Sequence, residues 1–416
     1  MSSNEWKFFS LSEATSKIGD GLHGTPLYDE FGEYYFINGS NLIDGKISIN
    51  QNTKRVSKDE YNKHKKELTD RTILLGINGT IGNIALYKNE KCILGKSACY
   101  INVSDKFDKY FIKYILQNNT FQSFISTNAS GTTIKNVNLG LIREYRFEAP
   151  SDINVQHRIG FILSSIDDKI ENNLNTNQTL EEIARTIFKE WFVNFNYPNA
   201  DGGRIHSEFG EIPTDWEVLG IGEICYVQNG YAFKSNDFKE EGEVGIIKIK
   251  NINGNVVDIE KTDFVDANVV ERLDKKFKIE SGSLLIAMTG AEVGKIGLVP
   301  LTEKNIWLNQ RVGMFKEKIA YGNLFMYLLL STGTYQTTIQ NSALGSAQPN
   351  ISASAIESIR AIIPPYELIE AFGKIVKPMF EKILDNLAEN ETLKITRDSL
   401  LPKLMSGEID VNISNE

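Results

Sequence analysis

Two stretches of the chain repeat apolar residues at the heptad spacing of a coiled coil. The first, over residues 153–196, places at the seam Ile159, Leu163, Ile166, Ile170, Leu180, Ile187 and Trp191. The second, over 366–407, places there Phe372, Val376, Met379, Ile383, Leu393, Leu400 and Leu404. This spacing predicts two long helices, each with one apolar stripe that needs a partner. Pro378 predicts a kink or a late start in the second helix, because proline lacks an amide donor.

The two helical segments are copies of one sequence at a shift of 213 residues. Residues of the first copy that recur unchanged are Gly160, Ile162, Lys169, Ile170, Asn173, Leu174, Asn177, Thr179 and Leu180, which match Gly373, Ile375, Lys382, Ile383, Asn386, Leu387, Asn390, Thr392 and Leu393. The segments before the helices match more loosely, as in Trp6 with Trp216, Gly79 with Gly290, Gly82 with Gly294, Gly131 with Gly345 and Asn136 with Asn350. The chain therefore consists of two modules, each a globular domain followed by a helix. About 35 residues at about 1.5 Å each give a rod of about 50 Å, and an antiparallel pair would hold the two domains at opposite ends.

Each globular segment alternates short β-branched or apolar runs with Gly, Asn and Asp. Runs that predict strands are Thr72–Leu75, Ile84–Tyr87, Ser283–Ile286 and Lys295–Val299, and one amphipathic helix follows in each domain, Tyr110–Thr127 and Gly322–Ser342. We therefore predict an α+β fold, with two mixed α/β domains in a pseudo-twofold arrangement joined by two long antiparallel coiled-coil helices. The predicted boundaries are 1–152 for the first domain, 153–196 for its helix, 197–213 for a linker, 214–365 for the second domain, 366–407 for its helix and 408–416 for a tail.

Four asparagines lie on the two apolar seams at equivalent positions. They are Asn173 and Asn177 in the first helix and Asn386 and Asn390 in the second. A buried asparagine costs stability but fixes the register of a helix pair, so we predict that these four set the register. The alternative is that their amides face a water-filled gap.

The net charge of -9 is unevenly distributed. Residues 1–150 hold 19 basic and 16 acidic residues, and residues 214–365 hold 15 and 18. The helical segment 151–213 holds 5 basic and 10 acidic residues, and the helical segment 366–416 holds 6 basic and 10 acidic residues. The excess of acid therefore lies in the helical segments, and local basic surfaces on the domains are compatible with the acidic total.

The cysteines and the overall hydropathy predict the compartment. Cys92, Cys99 and Cys225 show neither CxxC spacing nor an even framework, which indicates buried thiols in a reducing cytosol. The N-terminus has no basic-then-apolar leader, and no apolar run approaches the roughly 20 residues that span a bilayer. We expect a soluble, cytoplasmic protein.

Basic and amide side chains cluster in both domains and suit contacts with nucleic acid. In the first domain they include a run from Lys54 to Lys66, for which a solvated helix face is the alternative. Two glycine-rich loops, 76–83 and 289–295, are predicted as tight turns between strands, and the alternative is that their backbone amides bind phosphates. The candidate contact residues of the first domain are Lys54, Arg55, Lys58, Lys65, Lys66, Asn78, Thr80, Thr132, Thr133 and Lys135. Those of the second are Lys248, Lys250, Asn251, Lys275, Lys276, Thr289, Lys295, Asn309, Gln310, Arg311, Ser346 and Gln348.

We find no convincing catalytic residue in the sequence. Ile363-Pro364-Pro365-Tyr366 resembles the motif of amino-methyltransferases, but isoleucine stands where those enzymes need a polar acceptor. These prolines instead suit a junction between a strand and a helix. The four histidines, His23, His64, His157 and His206, lack metal-ligand spacing, so neither a metal nor a bound cofactor is expected on this chain.

Several local segments resemble those of one family, the specificity subunits of type I restriction–modification enzymes. They are residues 20–26 (DGLHGTP) with 36–39 (FING), 188–192 (FKEWF), 230–235 (GYAFKS), and 397–404 (RDSLLPKL) with 406–408 (SGE). The resemblance covers essentially the whole chain. It implies that each domain is a target-recognition domain for one half of a bipartite sequence in double-stranded DNA, with the helices as a ruler for the spacer. It also implies two methyltransferase subunits that use S-adenosylmethionine to methylate adenine at N6, and restriction–translocase subunits that use ATP and magnesium.

Two other functions remain open from the sequence. The chain could be the recognition subunit of a related system that cuts on both sides of its site, which the neighbouring genes would distinguish. It could also be a stand-alone DNA methyltransferase or nuclease, which would act without partner subunits.

Overall fold

The computed structural model describes residues 5–131, 135–343 and 349–411. Their chain divides into two compact units, one formed within 1–169 and 393–416 and the other within 170–392. This division cuts both long helices, so the domain boundaries given above stay predictions.

The globular part of the first unit contains short strands and helices in alternation. The strands are β1 (Trp6–Ser10), β2 (Thr15–Asp20), β3 (Tyr34–Ile37), β4 (Leu42–Ile43), β5 (Lys46–Ile47), β6 (Arg55–Val56), β7 (Thr72–Gly76), β8 (Ile84–Leu86), β9 (Cys92–Leu94), β10 (Ala98–Val103) and β11 (Arg146–Pro150). The helices are α1 (Leu11–Ala14), α2 (Lys58–His64), α3 (Lys109–Gln117), α4 (Asn119–Asn128) and α5 (Leu139–Glu144). The long helix α6 (Ile153–Phe188) follows and ends in a π-helical turn, Lys189–Val193.

Two sheets form the body of this domain. One is antiparallel in the order β2-β10-β7-β8, and the other has the order β6-β3-β9 with β3 and β9 parallel. Strands β1 and β11 pair separately and bring the start of the domain beside the start of α6. One apolar core packs the first of these sheets against the helices, and in it Leu11, Ile73, Phe111 and Phe121 are fully buried.

The second module repeats this plan. A hairpin of β12 (Arg204–Ser207) and β13 (Gly210–Pro213) comes first and lies within the segment predicted as a linker. The further strands are β14 (Glu217–Gly220), β15 (Cys225–Asn229), β16 (Val244–Ile247), β17 (Ile252–Asn253), β18 (Asn255–Val257), β19 (Asp263–Val265), β20 (Leu284–Ala287), β21 (Ile296–Leu298), β22 (Ile306–Leu308), β23 (Val312–Glu317) and β24 (Arg360–Ile363). The helices are α7 (Ala267–Val270), α8 (Gly322–Leu330), α9 (Thr334–Ser342), α10 (Ala353–Glu357) and the long α11 (Tyr366–Met405).

The sheets of the second domain correspond to those of the first. The order β15-β23-β20-β21 matches β2-β10-β7-β8, and β19-β16-β22 matches β6-β3-β9 with the same parallel pair. The pair β14-β24 matches β1-β11. The predicted α+β class, with a duplicated mixed domain and a long helix after each copy, is confirmed.

The prediction of one amphipathic helix in each domain is wrong, because each predicted helix is broken into two. Asn118 ends α3 and also caps α4, where its side chain accepts a hydrogen bond from the Thr120 amide at 3.0 Å. Gly333 breaks the second with a φ of +80°, a conformation that favours glycine. Local capping therefore overrides the continuous apolar pattern.

Pro378 neither delays nor ends its helix, so the predicted late start is also wrong. Helix α11 begins at Tyr366 and continues through Pro378 to Met405. Proline leaves the carbonyl four residues earlier, that of Lys374, without its helical donor. Both residues lie on the exposed side of the helix, where water can bond to that carbonyl.

One tyrosine of each domain anchors its domain to helix α6 through a carboxylate. Within the first unit, Asp167 accepts hydrogen bonds from Lys113 Nζ at 2.5 Å, Tyr114 OH at 2.7 Å and Arg397 Nη1 at 2.9 Å. Burial raises the pKa of Asp167, but the charge of Lys113 and the hydrogen bonds lower it by more, so the carboxylate stays ionised.

The second unit uses the equivalent tyrosine in the same way. Tyr327, which is 213 residues after Tyr114, donates to Glu181 at 2.6 Å. Arg185 donates to the same carboxylate at 2.6 Å. Burial, followed by the charge of Glu181, raises the pKa of Tyr327, so the phenol remains a donor at neutral pH.

Candidate DNA interface

The turn between β22 and β23 presents two polar side chains to solvent. The Gln310 amide donates to the Tyr231 carbonyl at 2.9 Å, and the Tyr231 amide donates to the Leu308 carbonyl at 2.8 Å. Gln310 and Arg311 are exposed, and their side chains have no partner within the part of the chain that the structure describes. Asn309 points inward instead, and its Oδ1 accepts from the Arg311 amide at 3.4 Å. The turn thus offers Gln310 and Arg311, with Asn309 as its internal support.

The glycine-rich loops lie against the loops that follow α4 and α9. In the first domain Asn78 Nδ2 donates to Asn136 Oδ1 at 3.1 Å, and the Gly79 amide donates to the Lys135 carbonyl at 3.1 Å. In the second domain the Gly290 amide donates to the Pro349 carbonyl at 2.9 Å, beside a bridge between Thr289 and Asn350. These contacts hold Asn78 and Lys135 at one site and Thr289 at the equivalent one. Thr80 lies in the same loop as Asn78. The candidates Thr132, Thr133, Ser346 and Gln348 lie outside the described residues.

The basic run of the first domain is spread over a strand, a short helix and the loop after it. Arg55 begins β6 and Lys58 begins α2, while Lys54 precedes the strand and Lys65 and Lys66 follow the helix. Three of the five cations lie over aromatic rings, such as Arg55 at 4.9 Å from the Tyr35 ring centre. None of the five has a carboxylate within 4.0 Å among the described residues. Their charges are therefore not neutralised locally.

The acid in this run is used internally. Glu60 is buried and accepts a hydrogen bond from the Leu27 amide at 3.1 Å. That backbone hydrogen bond, with Lys63 and His64 nearby, lowers the pKa of Glu60. Glu60 thus ties α2 to the preceding loop and leaves the flanking cations to solvent.

Most basic candidates of the second domain are paired with acids. Lys248 and Lys250 both contact Asp263, at 2.7 and 2.8 Å. Lys276 pairs with Asp274 at 3.5 Å, and Lys295 with Glu292 at 2.9 Å. Burial raises the pKa of Asp263, but its two lysines lower it by more. Lys275 is exposed without such a partner in the described chain, so the second domain offers less free positive charge than the first.

Asn251 is corrected from a candidate base contact to a structural residue. It is only 1% exposed, and its Oδ1 accepts from the Lys248 amide at 2.9 Å. Its Nδ2 donates to the carbonyls of Asp258 and Lys261. The equivalent Asn41 bonds its own loop in the same way, accepting from the Asn38 amide and donating to the Ser48 carbonyl. The amide is therefore fully used within the domain.

The four seam asparagines pair across the helices inside the second unit. Asn173 Nδ2 donates to Asn390 Oδ1 at 2.9 Å, and Asn386 Nδ2 donates to Asn177 Oδ1 at 2.7 Å. The first position of each repeat thus bonds the second position of the other, as an antiparallel pairing requires. Asn386 is fully buried and Asn390 is 2% exposed, so these amides do not face an open gap. Their role in setting the register stays a prediction.

The comparisons with known proteins agree with this duplicated fold. The model of the type I restriction modification DNA specificity domain matches the chain twice, over residues 4–182 and 213–396. The chain belongs to this family. It is therefore a DNA specificity subunit, the non-catalytic member of a type I restriction–modification system, as its sequence predicted.

Similar specificity subunits cover most or all of the chain. That of the type I restriction enzyme MjaIX from Methanocaldococcus jannaschii is 29% identical over 347 residues, 82% of this chain and 78% of the relative. That of HindI from Haemophilus influenzae is 25% identical over 471 residues, 98% of this chain and 100% of the relative. The crystal structure of a type I system S subunit from M. genitalium has a TM-score of 0.64 at 20% identity and covers 96% of both chains. That structure shows the same fold.

Residues 5–131, 135–343 and 349–411 of this specificity subunit contain no candidate metal site. No group of three or more His, Cys, Asp or Glu side chains there could hold a metal ion. No helix there is long and apolar enough to cross a membrane. The three cysteines are buried, and burial raises the pKa of Cys92 to about 12, so its thiol is protonated at neutral pH.

The sequence predictions omitted one exposed cation, Lys96, on the first-domain turn that is equivalent to residues 309–311. The sequence did contain a signal for Lys96, because Gly21-Leu22 aligns with Gly230-Tyr231. Leu22 pairs with Gly95, just before Lys96, as Tyr231 pairs with Asn309, just before Gln310. The fold therefore places Lys96 and Gln310 at equivalent backbone positions, although only Gln310 was predicted as a contact.

Proposed function

We propose that each domain of this specificity subunit reads one half of a bipartite sequence in double-stranded DNA, and that the two long helices set the spacer. The observation that carries the proposal is the element-by-element duplication of the domain. Two copies of one reading module with different exposed side chains suit two different half-sites. The continuous helices α6 and α11, paired in antiparallel register through their asparagines, suit a fixed distance between them.

The proposal assigns the chemistry to partner subunits. Two methyltransferase subunits would bind S-adenosylmethionine and methylate adenine at N6, and restriction–translocase subunits would bind ATP and magnesium for cleavage. This chain would recognise the DNA sequence and would bind no cofactor. The acid excess of the helical segments supports a protein-facing rather than a phosphate-facing role for them.

Repeated exposed apolar residues on the helices support a docking surface for the methyltransferases. Ile162 and Ile375 are equivalent in the duplication, and they are 36% and 43% exposed. Packing within the chain does not explain an isoleucine kept at both exposed positions, whereas the same contact made with two copies of one partner does. Phe161, 64% exposed beside Ile162, extends the surface in the first unit.

This docking surface can be tested by counting partner subunits. The variants Ile162→Asp and Ile375→Asp should each lose one methyltransferase copy, and the double variant should lose both, as measured by the mass of the purified complex. Ile183→Asp is the control, because Ile183 is exposed on the same helix but Thr396 stands at its equivalent position. A complex that keeps two copies in the double variant would place the partners elsewhere.

The reading of DNA is tested by sequencing the methylome of a host that expresses this chain with its cognate methyltransferase. We expect one methylated motif made of two specified halves separated by unspecified bases. A single undivided motif would contradict the proposal. Methylation or cleavage of DNA by the purified chain alone would show a stand-alone enzyme instead.

A further inference from the structure

The turn between β9 and β10 in the first domain has the same backbone arrangement as the turn that carries Gln310. Leu22 bridges Gly95 as Tyr231 bridges Asn309, both in parallel orientation. The Leu22 amide donates to the Leu94 carbonyl at 2.7 Å, and the Tyr231 amide makes the equivalent bond to Leu308 at 2.8 Å. Lys96 therefore occupies the position of Gln310.

A glycine makes this close pairing possible in each domain. A Cβ on Gly21 would lie 2.2 Å from the Leu94 carbonyl oxygen, and one on Gly230 would lie 2.1 Å from that of Asn309. Both distances are far inside van der Waals contact, so only glycine fits. The backbone of each turn is thereby fixed before any ligand binds, which is what a precise contact to a base edge needs.

The side chains of each turn divide into supporting and outward-facing ones. In the first domain Ser97 supports the turn, since its Oγ donates to Asn38 Oδ1 and accepts from the Gly39 amide, both at 2.9 Å. Asn309 has the supporting role in the second domain. Lys96 is exposed, and its ammonium has no acid partner among the residues that the structure describes. It is thus presented to solvent in the same way as Gln310.

We propose that Lys96 is a specificity-determining residue for the first half-site and contacts a guanine, while Gln310 contacts an adenine at the equivalent place in the second. The inference rests on the proposed bipartite function. A lysine ammonium can donate to both O6 and N7 of guanine in the major groove, whereas a glutamine amide matches N6 and N7 of adenine. The duplicated turn therefore reads two different bases from one backbone geometry.

The test uses the full chain with its cognate methyltransferase subunits, and the readout is the methylated motif of the host genome. Lys96→Ala should lose the preference for guanine at one position of one half-site, by about 5- to 150-fold in discrimination. Lys96→Gln should shift that position towards adenine. Gln310→Ala should relax the other half-site, so the two variants must affect different halves.

Lys106→Ala is the matched control, because Lys106 is an exposed lysine just beyond the far end of β10. It should leave the motif unchanged. The unaffected half-site in each variant reports that the protein has folded and binds DNA.

Three results would overturn the inference. An unchanged motif with uniformly weaker methylation in Lys96→Ala would make Lys96 a phosphate contact, and a first half-site without guanine would remove the base assignment. Relaxation of the same half by Lys96→Ala and Gln310→Ala would refute the equivalence of the turns. An undivided motif from the wild-type chain would instead refute the proposed function itself.

Discussion

Some asparagine and glutamine side chains of the two globular domains are hydrogen-bonded within the domain and others are exposed, and this difference decides which of them can contact a base. The amides of Asn251 and Asn41 both donate and accept hydrogen bonds within their own loops. Gln310 lies on a turn of similar composition but keeps its amide exposed. A base contact needs both groups of the amide free, so the exposed residue retains the ability to select a base and the buried ones do not.

Arg311 should contribute base selection in the second half-site. Its guanidinium is exposed beside Gln310 and can form two hydrogen bonds with one guanine. We expect Arg311→Ala to relax the second half-site alone, with a loss of about 1–3 kcal/mol in discrimination. The measurement is binding of the assembled complex to DNA with each base substituted in turn. Equal weakening on every sequence would make Arg311 a phosphate contact.

Residue chemistry alone could predict only part of the interface. Gln310 and Arg311 were predicted from their type, and so was Asn251, because burial is invisible in a run such as Lys248-Ile249-Lys250-Asn251. Lys96 was omitted, because a single lysine forms no cluster of basic residues in the sequence. Its position becomes informative only when Leu22 is paired with the turn that contains it. The duplicated glycine at positions 21 and 230 was the signal that could have identified it.

At the scale of elements, the long helices were predictable and the short elements less so. Heptad spacing over many turns is a strong signal, whereas a polar residue such as Asn118 can end one helix and begin another without disturbing the apolar pattern. The hairpin at 204–213 was predicted only as a linker, since β12 is largely exposed and only the last two residues of β13, Ile212 and Pro213, are buried. So short a buried stretch leaves no alternating apolar pattern in the sequence. Local hydrogen bonding, rather than periodicity, fixes these elements.

The paired asparagines give a prediction about the helix seam. Asn390→Leu removes one of the two acceptors of Asn173 Nδ2, since Glu389 Oε2 also accepts at 2.8 Å. It should cost about 0.5–1.5 kcal/mol of unfolding free energy, the net contribution of one hydrogen bond. Replacing Asn173 as well should recover part of that loss, since two leucines can pack together. Thermal unfolding of the three variants measures the coupling. If Asn390→Leu costs no more than the exposed control Asn175→Leu, the amides are hydrated and do not pair.

The carboxylate that anchors the first domain gives a second prediction at this scale. Asp167→Asn should destabilise the first unit by about 3 kcal/mol, because Lys113 is buried and would keep an unpaired charge. Since the pKa of Asp167 is lowered, its contribution is present at neutral pH and is lost as the pH falls below the ordinary value of 3.8. Hydrogen exchange of the α3 amides measures the effect. The neighbouring Asp168→Asn is the control, and an equal loss there would exclude a special role for Asp167.

At the scale of the whole molecule, the helices and the globular domains differ both in net charge and in how well their sequences are kept between the two repeats. The helices keep their sequence, hold the excess acid and expose a repeated isoleucine, while the domains keep their topology and change their exposed side chains. The basic candidates of the first domain have no acid partner among the described residues, whereas most basic candidates of the second are paired with acids. Phosphate attraction from the first domain and base selection by both are therefore compatible with one acidic chain.

The ruler role of the helices leads to a prediction for the complete subunit. Four residues inserted after Thr179, with the same insertion after the equivalent Thr392, should lengthen each helix by about 6 Å, or roughly two base pairs of about 3.4 Å. The methylated motif should keep both halves and gain spacer, because the reading domains are unchanged. The same four residues inserted between Gly202 and Gly203, outside the helices, should leave the spacer as it was. An unchanged spacer in the helix variant, with both halves still methylated, would show that something other than helix length sets the distance between the half-sites.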